Sequence, residues 1–507
     1  MILLRPPLAP VVTIMCLASV FGFARHQTVA AQAAASEQAI RNDEARKRLA
    51  SIDHEPDARL RLGRLETFIR DEPASPLVGP AYQLLFASLV QSDPDKALVV
   101  ADEVLAKYPS PNVELRTLAY MNKFAALSAL KRSDAISVIG ARLLSDENDP
   151  LLLMVTANYD KTRSVALIEK ALAERKKDSV ASAPSARSIS LPSVSVEDLE
   201  WALVPPLFAS GRTGDGQALL NRLGTGVERR VAAIRAFSDV SFRENQLSLY
   251  SDTVASRYLA VAGQLVDGGQ YQTALECLEA WEQYAGDRVR PNSERRMVND
   301  YRATCYEHVG NVNLALENLA RAFALRMSAD TRSKIVDLAR RVSRSPDETF
   351  VRVRAIRMSA ATPTYQFELK NLGGETVALK SIDGKAVLVS FFYPSCAPCN
   401  LEFPHLQRLY EKYSQEGLRM VAINTDPDEE VGAWRARGRY TMPILTPRDR
   451  DFMAAHYGDT AVPSTMLLGS DHRVMFLHRG YEKGDEVAME AEIRELLGLD
   501  PFPVPSR

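Results

Sequence analysis

The spacing of apolar residues divides the chain into two parts. From residue 35 to about 354, apolar side chains recur at helical intervals, and Ala, Leu, Arg and Glu are frequent. Patterns typical of strands are almost absent from this part. From about residue 362 onward, short apolar runs alternate with helical patterns. The sequence therefore predicts an all-α region followed by an α/β domain in which helices cover both faces of a central sheet.

The α/β part contains a regular series of predicted elements. The apolar runs that predict strands are 387–392, 419–424, 442–445, 464–468 and 474–478. The helical patterns after the second, third and last of these runs are 426–437, 450–457 and 486–497. A turn at 469–472 joins the last two predicted strands, which we expect to form a hairpin.

One predicted strand ends directly before a Cys-x-x-Cys motif. Phe392 closes the apolar run, Cys396 and Cys399 follow, and a helical pattern with Phe403 on its apolar face begins at once. A strand, a turn, two thiols and a helix in this order are suited to thiol–disulfide chemistry. Redox exchange is therefore the first hypothesis for this site.

The two cysteines are predicted to have different roles. The start of a helix presents unpaired N–H groups and the positive end of the helix dipole, which stabilise a thiolate. A thiol placed there has a pKa below the free value of about 8.5. We predict that Cys396 faces solvent and attacks a substrate disulfide. Cys399, one turn further into the helix, is predicted to be shielded and to resolve the mixed disulfide.

A metal site is the competing interpretation of the cysteine pair. Structural zinc needs four ligands, and the chain has no second Cys-x-x-Cys and no suitable pair nearby. His405 lies on the predicted helix in a poor ligand position. A copper site of the two cysteines with His472 or His478 stays open. Otherwise these two histidines and His456 are predicted to be surface or packing residues, and neither a metal nor an organic cofactor is expected.

The residues around the cysteines form a family-specific set. Its members are Phe367-Glu368-Leu369 with 373–377, Asp383-Gly384-Lys385, the run Cys396-Ala397-Pro398-Cys399-Asn400-Leu401-Glu402-Phe403-Pro404, and Val462-Pro463-Ser464-Thr465. From about 362 to 497, roughly a quarter of the chain, the sequence resembles the TlpA/ResA-like branch of the thioredoxin superfamily. Members of this branch are exported thiol–disulfide oxidoreductases related to the peroxiredoxins.

The resemblance implies a thioredoxin-like fold, protein thiols and disulfides as substrates, and a membrane-embedded electron donor. It assigns Val462 and Pro463 to the substrate-docking loop, where a cis proline would place the Val462 backbone beside the sulfurs; an ordinary trans turn is the alternative. It makes Glu402 the acidic residue behind the active site, where a partly buried carboxylate could accept and return the proton of Cys399. The alternative for Glu402 is a solvated carboxylate favoured by the helix dipole.

One departure from the family pattern concerns substrate preference. The branch usually has Trp before the first cysteine, where this chain has Ser395. The lead-in Tyr393-Pro394 is closer to the peroxiredoxins, but their Pro-x-x-x-Thr-x-x-Cys pattern is not met, because Pro398 and Leu401 occupy the Thr and Cys positions. Peroxidase activity is therefore kept as a weaker alternative.

The N-terminus has the features of a secretory signal. Arg5 precedes an apolar stretch from 11 to 24, and small residues at 29–33 offer cleavage near Ala31 or Ala33. A signal peptide spanning 1–33 would place the mature protein in the periplasm or another exported location. The alternative is an uncleaved membrane anchor. Cys16 is expected to be lost with the signal.

The all-α region, 35–355, shows internal similarity. The segments 269–278 and 310–319 align at an offset of 41 residues, and related turns lie near 93–98, 132–136 and 210–219. They resemble degenerate tetratricopeptide repeats, which stack into a solenoid and bind protein partners on one face. A spacer or dimerisation surface is the alternative. The Ser- and Lys-rich segment 176–196 is predicted to be a flexible loop.

Cys277 and Cys305 lie on adjacent predicted helices of this array. In an oxidising compartment they could form a bridge, and the alternative is two buried free thiols.

Composition narrows the class of function. A formal net charge of -2 gives no basic surface for nucleic acid. A hydrophobic content of 46% over 507 residues is enough for more than one domain core. The two functional hypotheses are an exported protein-disulfide oxidoreductase, reductase in direction, and an interaction scaffold whose thioredoxin-like domain is weakly active. The domain limits that we predict for the α/β part are 360–507.

Overall fold

The fold is described from a computed structural model. It describes residues 42–53, 58–73, 75–107, 113–181, 194–286, 292–426, 431–447, 451–457, 461–482 and 484–503. The predicted signal peptide, with its cleavage sites and Cys16, lies outside these residues.

Helices account for the first part of the chain. In order they are α1 (42–53), α2 (Ala58–Asp71), α3 (Val78–Ser92), α4 (Pro94–Lys107), α5 (Val113–Ala129), α6 (Ser133–Asp146), α7 (Pro150–Tyr159), α8 (Ser164–Ala181), α9 (Val196–Ala209), α10 (Thr213–Arg235), α11 (Val240–Asp267), α12 (Tyr271–Ala285), α13 (Asn292–His308), α14 (Val312–Leu325), α15 (Ala329–Arg341) and α16 (Pro346–Ala360). The chain divides into two compact units, Met1–Leu85 and Phe86–Arg507. In the first unit, Leu65 and Phe68 of α2 are fully buried.

The hairpins α5/α6, α9/α10, α11/α12 and α13/α14 of the second unit share one type of turn. A residue in the left-handed conformation ends the first helix of each pair: Lys131, Gly211, Gly269 and Gly310, with φ between 58° and 82°. The next N–H then bonds the carbonyl five residues back, as in Arg132–Leu127, Arg212–Leu207, Gln270–Leu265 and Asn311–Tyr306, at 2.7–2.9 Å. This is the Schellman C-cap, which glycine adopts without a Cβ penalty. The turns aligned from the sequence near 132–136, 210–219, 269–278 and 310–319 are therefore structurally equivalent. The turn near 93–98 differs, because the Asp93 N–H bonds the Leu89 carbonyl four residues back.

Small residues let these helices approach one another closely. Ala274 of α12 and Ala315 of α14 are fully buried, each just after the turn of its hairpin. Gly263 of α11 faces Tyr301 of α13, and a Cβ at this glycine would lie 2.8 Å from the tyrosine hydroxyl. The predicted all-α class of this region is thus confirmed by closely packed helical pairs.

One boundary differs from the prediction. Helix α8 continues to Ala181, so 176–181 is helical and the predicted loop at 176–196 begins later. Lysine and glutamate are good helix formers, and Lys177 pairs with Glu174 at 2.7 Å across one turn. The polar composition of 176–181 led to the prediction of a loop, but it suits an exposed helix equally well. Residues 182–193 lie outside the described residues, and α9 starts at Val196 with a Ser195–Asp198 capping box.

The C-terminal part is built on a mixed sheet. Its elements are β1 (Thr362–Pro363), β2 (Glu368–Asn371), β3 (Thr376–Ala378), β4 (Ala386–Phe392), α17 (Ala397–Tyr413), β5 (Leu418–Asn424), α18 (Val431–Gly438), β6 (Ile444–Thr446), α19 (Phe452–Tyr457), β7 (Ser464–Gly469), β8 (Arg473–Arg479) and α20 (Asp485–Leu496). The described strands lie in the order β1-β8-β7-β4-β5-β6-β2-β3. Strand β4 is parallel to β5 and antiparallel to β7. All seven of its residues are buried, as expected for a central strand covered on both faces.

The last helices of the all-α region pack on this domain. Phe323 of α14 and Val353 of α16 belong to the same buried cluster as Leu467 of β7, Phe476 of β8 and Ile493 of α20. A continuous apolar core therefore joins the helices to the sheet within one compact unit, although the secondary structure changes type near residue 361. The search for membrane spans, made on the described residues, finds no helix with the length and apolar content to cross a bilayer.

Candidate active site

The two cysteines lie at the tip of helix α17, directly after the central strand. Cys396 is the N-cap residue of the helix and Cys399 lies in its first turn. They form a disulfide with a Cα–Cα distance of 5.3 Å. The Cys399 N–H also points at Cys396 Sγ, 3.2 Å away. The first cysteine thus occupies the position where unpaired helix N–H groups favour a thiolate.

The predicted exposure of Cys396 is wrong. Only 3% of the residue is exposed, and Cys399 is fully buried. Cys396 is bonded to Cys399 and belongs to the main core cluster, against which Tyr393 and Val462 also pack. Ser395, Ala397 and Pro398 around it are exposed. The disulfide therefore lies just beneath the surface, where its neighbours limit access to the sulfur.

Asn400 braces the cysteine turn, a role that the sequence did not reveal. Its side-chain N–H groups donate to the carbonyl oxygens of Pro394 and Cys396, each at 3.0 Å. Its carbonyl oxygen accepts from Trp434 Nε1 at 2.7 Å. The Trp434 ring stacks on Phe392 at a centroid distance of 4.6 Å. A helix 34 residues away thereby holds the loop that carries Cys396.

Glu402 is a buried carboxyl group one turn after Cys399 on the same helix face. It is 1% exposed, so the alternative of a solvated carboxylate is wrong. Thr465 Oγ1 donates to Glu402 Oε1 at 3.0 Å. Thr465 Oγ1 is also within hydrogen-bond distance of Ser390 Oγ, at 3.0 Å. Glu402 Oε2 has no hydrogen-bond partner. Burial raises the pKa of Glu402 to about 7, against the lowering effects of Thr465 and His478.

Val462 and Pro463 lie in the loop before β7, and the peptide bond between them is cis. Val462 is half-buried and packs against the cluster that contains both cysteines. The Pro463 carbonyl accepts from the Gly480 N–H at 2.8 Å. The sequence-predicted residues Cys396, Cys399 and Val462 are thus brought together at one end of the sheet.

His478 is a packing residue, the second of the two roles predicted for it, and within the described residues it is not grouped with the cysteines as a metal ligand. Its Nε2 lies 2.6 Å from Glu492 Oε2, with 9% of the histidine side chain and none of the glutamate side chain exposed. His472 Nε2 contacts the Ile382 carbonyl at 3.1 Å. Across the described residues, no three His, Cys, Asp or Glu side chains are grouped as metal ligands. The contact of His478 with Glu492 was missed because Glu492 lies on another element.

The other two cysteines of the described residues are free thiols, so the bridge alternative is wrong. Cys277 and Cys305 are both buried and unbonded. Burial raises the pKa of Cys277 to about 12 and that of Cys305 to about 11. They behave as small apolar side chains within the helical array.

Comparison with known proteins agrees with this geometry. A model of the AhpC/TSA family matches residues 360–476. The thiol-disulfide oxidoreductase ResA of Halalkalibacterium halodurans is 30% identical over 139 residues, which cover 27% of this chain and 77% of the relative. The chain belongs to the ResA-like family of thiol–disulfide oxidoreductases. This membership rests on the C-terminal domain.

Further ResA-like proteins match the same domain. The thiol-disulfide oxidoreductase ResA of Geobacillus thermodenitrificans is 27% identical over 28% of this chain and 81% of the relative. Among solved structures, a putative thiol:disulfide interchange protein DsbE from Chlorobium tepidum is 25% identical over 27% of this chain and 97% of that chain, with a TM-score of 0.26. The predicted resemblance to this family is confirmed, and the C-terminal domain is a thioredoxin-like protein-disulfide oxidoreductase.

Proposed function

We propose that this ResA-like protein reduces protein disulfides outside the cytoplasm by means of the Cys396–Cys399 dithiol. The observation that carries the proposal is the placement of this pair at the N-terminus of α17, one turn before a buried Glu402. The helix end favours a thiolate at Cys396, and the carboxyl group is suited to exchange protons near neutral pH.

The proposed reaction begins with the reduced dithiol. The Cys396 thiolate attacks one sulfur of the substrate disulfide, the substrate S–S bond breaks, and the second substrate sulfur leaves as a thiolate that takes up a proton. Cys399 gives its proton to ionised Glu402, and its thiolate attacks Cys396 Sγ. The 396–399 disulfide forms as the mixed disulfide breaks, and the first substrate sulfur leaves as a thiolate that takes up the proton held by Glu402. Two electrons have then passed from the dithiol to the substrate, with no cofactor involved.

Substrate docking is assigned to the loop at Val462 and Pro463. Val462 packs against the cysteine cluster, and an extended peptide could pair with backbone exposed at such a loop as an added strand. Ser395 directly precedes Cys396, Pro398 directly precedes Cys399, and both residues are exposed. A substrate seated between these segments would reach Cys396 first.

The compartment and the electron donor follow from the N-terminal signal pattern and the family resemblance. Export through residues 1–33 would place the dithiol in an oxidising space. A membrane-embedded electron carrier would then keep it reduced. The helical array is proposed to hold a protein partner, on the analogy of other repeat arrays. The alternative is a scaffold in which the array acts and the dithiol is idle.

Turnover with a protein disulfide tests the proposal. The reduced full chain should reduce the disulfides of insulin, and the Cys396→Ser variant should lose at least about a hundredfold in rate, because it lacks the attacking thiol at the N-cap of α17. Cys277→Ser and Cys305→Ser are the matched controls and should keep the wild-type rate. Equal rates of insulin reduction for Cys396→Ser and wild type would contradict the proposal and favour the scaffold alternative. Peroxide consumption that depends on Cys396 and exceeds insulin reduction would favour the peroxidase.

A further inference from the structure

A chain of buried polar groups runs from the active-site helix to the all-α region. Glu402 of α17 is bonded to Thr465 of β7. Thr465 lies directly opposite His478 in the antiparallel β7–β8 pair, so the two side chains share one face of the sheet. His478 contacts Glu492 of α20. Glu492 Oε1 in turn accepts from the backbone N–H of Met327, just beyond α14, at 3.2 Å.

Each member of this chain is buried among apolar neighbours. Thr465 is 1% exposed, Glu402 1% and Glu492 0%. Ionisable side chains in such a core are costly unless they are paired. Glu492 is paired at both oxygens, whereas one oxygen of Glu402 has no partner. The ionisation of Glu402 is therefore the most open to control by neighbouring charge.

The charged groups that act on Glu402 come from two elements. His478 of β8 favours the carboxylate, and Asp485, the first residue of α20, opposes it. The neighbouring strands β4 and β7 contribute only the hydroxyl groups of Ser390 and Thr465. His478 in turn faces Glu492 and Glu402, which favour its protonated form, and Arg326, which opposes it. Among these charged groups, His478 is thus the cation that favours the Glu402 carboxylate.

The all-α region fixes the position of α20 and β8 beside this chain. Arg326 pairs with Asp485, and Arg357 of α16 donates to Glu495 at 2.5 Å. The Arg357 guanidinium also lies over the Phe476 ring at 4.3 Å. These contacts flank the bond between Met327 and Glu492 on both sides. The distance between Glu492 and His478 is therefore set partly by residues outside the α/β domain.

We propose that His478 and Glu492 are positioning residues that control the protonation of Glu402, and that the all-α region holds this pair in place. The proposal rests on the function proposed above. Burial opposes a charge on His478, but Glu492 outweighs it, and the net effect raises the pKa of His478 above its ordinary value. A protonated His478 lowers the pKa of Glu402 from the still higher value that burial alone would give. Glu402 is then partly ionised at neutral pH and can accept the Cys399 proton.

His478→Gln tests the proposal, because it removes the charge and keeps a polar side chain of similar length. The pKa of Glu402 should rise by about one pH unit, which reduces its ionised fraction about tenfold below the midpoint. The midpoint of the pH–rate profile for insulin reduction should move up equally. Glu492→Gln should move it in the same direction but less, since His478 then loses its proton more readily. His456→Gln is the matched control. Its ring, on α19, stacks on Tyr365, and the change should alter neither quantity.

Two further arms separate this role from a structural one. In a Glu402→Gln background, His478→Gln should cause no further shift, since the group it acts on is absent. A carbon NMR titration of the Glu402 carboxyl group gives the same comparison without turnover. If the wild type shows no insulin reduction, the proposed function fails. The NMR titration still tests the role of His478 and Glu492, because it does not depend on turnover. The inference would be overturned if the titration midpoint of Glu402 were unchanged in folded His478→Gln and Glu492→Gln. It would also be overturned if His478→Gln shifted the pH–rate profile equally in the Glu402→Gln background.

Discussion

The described residues include two pairs of cysteines in two regions, and both pairs are buried. Cys277 and Cys305 lie beyond the first turn of their own helices, α12 and α13, and burial raises the pKa of both thiols. Cys396 and Cys399 lie at the first turn of α17 and are bonded to each other. In the proposed function, burial alone therefore does not decide reactivity. The helix end and a nearby carboxyl group distinguish the second pair.

Alkylation of the reduced protein should give the largest contrast between the two pairs. At pH 7, a thiol pKa of about 11 or 12 leaves roughly one thiolate in ten thousand or fewer. Iodoacetamide should therefore modify Cys396 at least about a thousandfold faster than Cys277 or Cys305. Mass spectrometry of peptides after timed quenching measures these rates. Comparable rates at Cys396 and Cys277 in the folded protein would remove the basis of the comparison.

The pH dependence of stability sharpens the comparison at Glu402. Because burial raises the pKa of Glu402 from 4.5 to about 7 in the folded state, the unfolded chain loses this proton first. The contribution of Glu402 to the free energy of unfolding is fully present below pH 4.5 and is lost as the pH rises to 7 and beyond. The difference corresponds to about 3 kcal/mol. Urea unfolding at pH 5 and pH 8 should show this loss in wild type.

Glu402→Gln is the variant that checks this assignment. It should remove most of the loss between pH 5 and pH 8, so that the variant is the more stable protein at pH 8. Glu411→Gln, on an exposed part of the same helix, is the control and should leave the pH dependence as in wild type. An unchanged pH dependence in Glu402→Gln would show that another group titrates.

Asn400→Ala should have the smallest effect of the three. It removes the bonds to the Pro394 and Cys396 carbonyls and leaves Trp434 Nε1 without its partner. A loss of about 1–2 kcal/mol in stability is expected, with a several-fold lower rate of insulin reduction. Trp434→Phe keeps the ring stack but removes the same donor, and should cost less than Asn400→Ala. No change in rate for Asn400→Ala would mean that the cysteine turn is rigid without this brace.

The parts that the sequence predicted well are those that depend on local patterns. The run from Phe392 through Cys396 to Phe403 contains the end of a strand, the cap and the apolar face of the helix, and each of these is local. The positions of β5, β7 and β8 followed from apolar runs in the same way. The shared turn of the helical hairpins was visible because glycine tolerates its backbone conformation.

The features that were missed depend on contacts between distant residues. The burial of Cys396 involves Val462, and the brace at Asn400 needs Trp434. The bond between Met327 and Glu492 joins residues 165 positions apart. The residues next to His478 in the sequence, Leu477 and Arg479, give no sign of the carboxylate that it contacts. The helical end of α8 was missed for a different reason, because a polar composition suits both a loop and an exposed helix.

Trapping of the reaction intermediate tests the central claim most directly. Cys399→Ser leaves Cys396 able to attack but removes the thiol that resolves the mixed disulfide. When the reduced Cys399→Ser protein is mixed with insulin, non-reducing mass spectrometry should show a mixed disulfide on Cys396. A covalent complex that forms through Cys277 or Cys305, or equally well in Cys396→Ser with Cys399→Ser, would contradict the account.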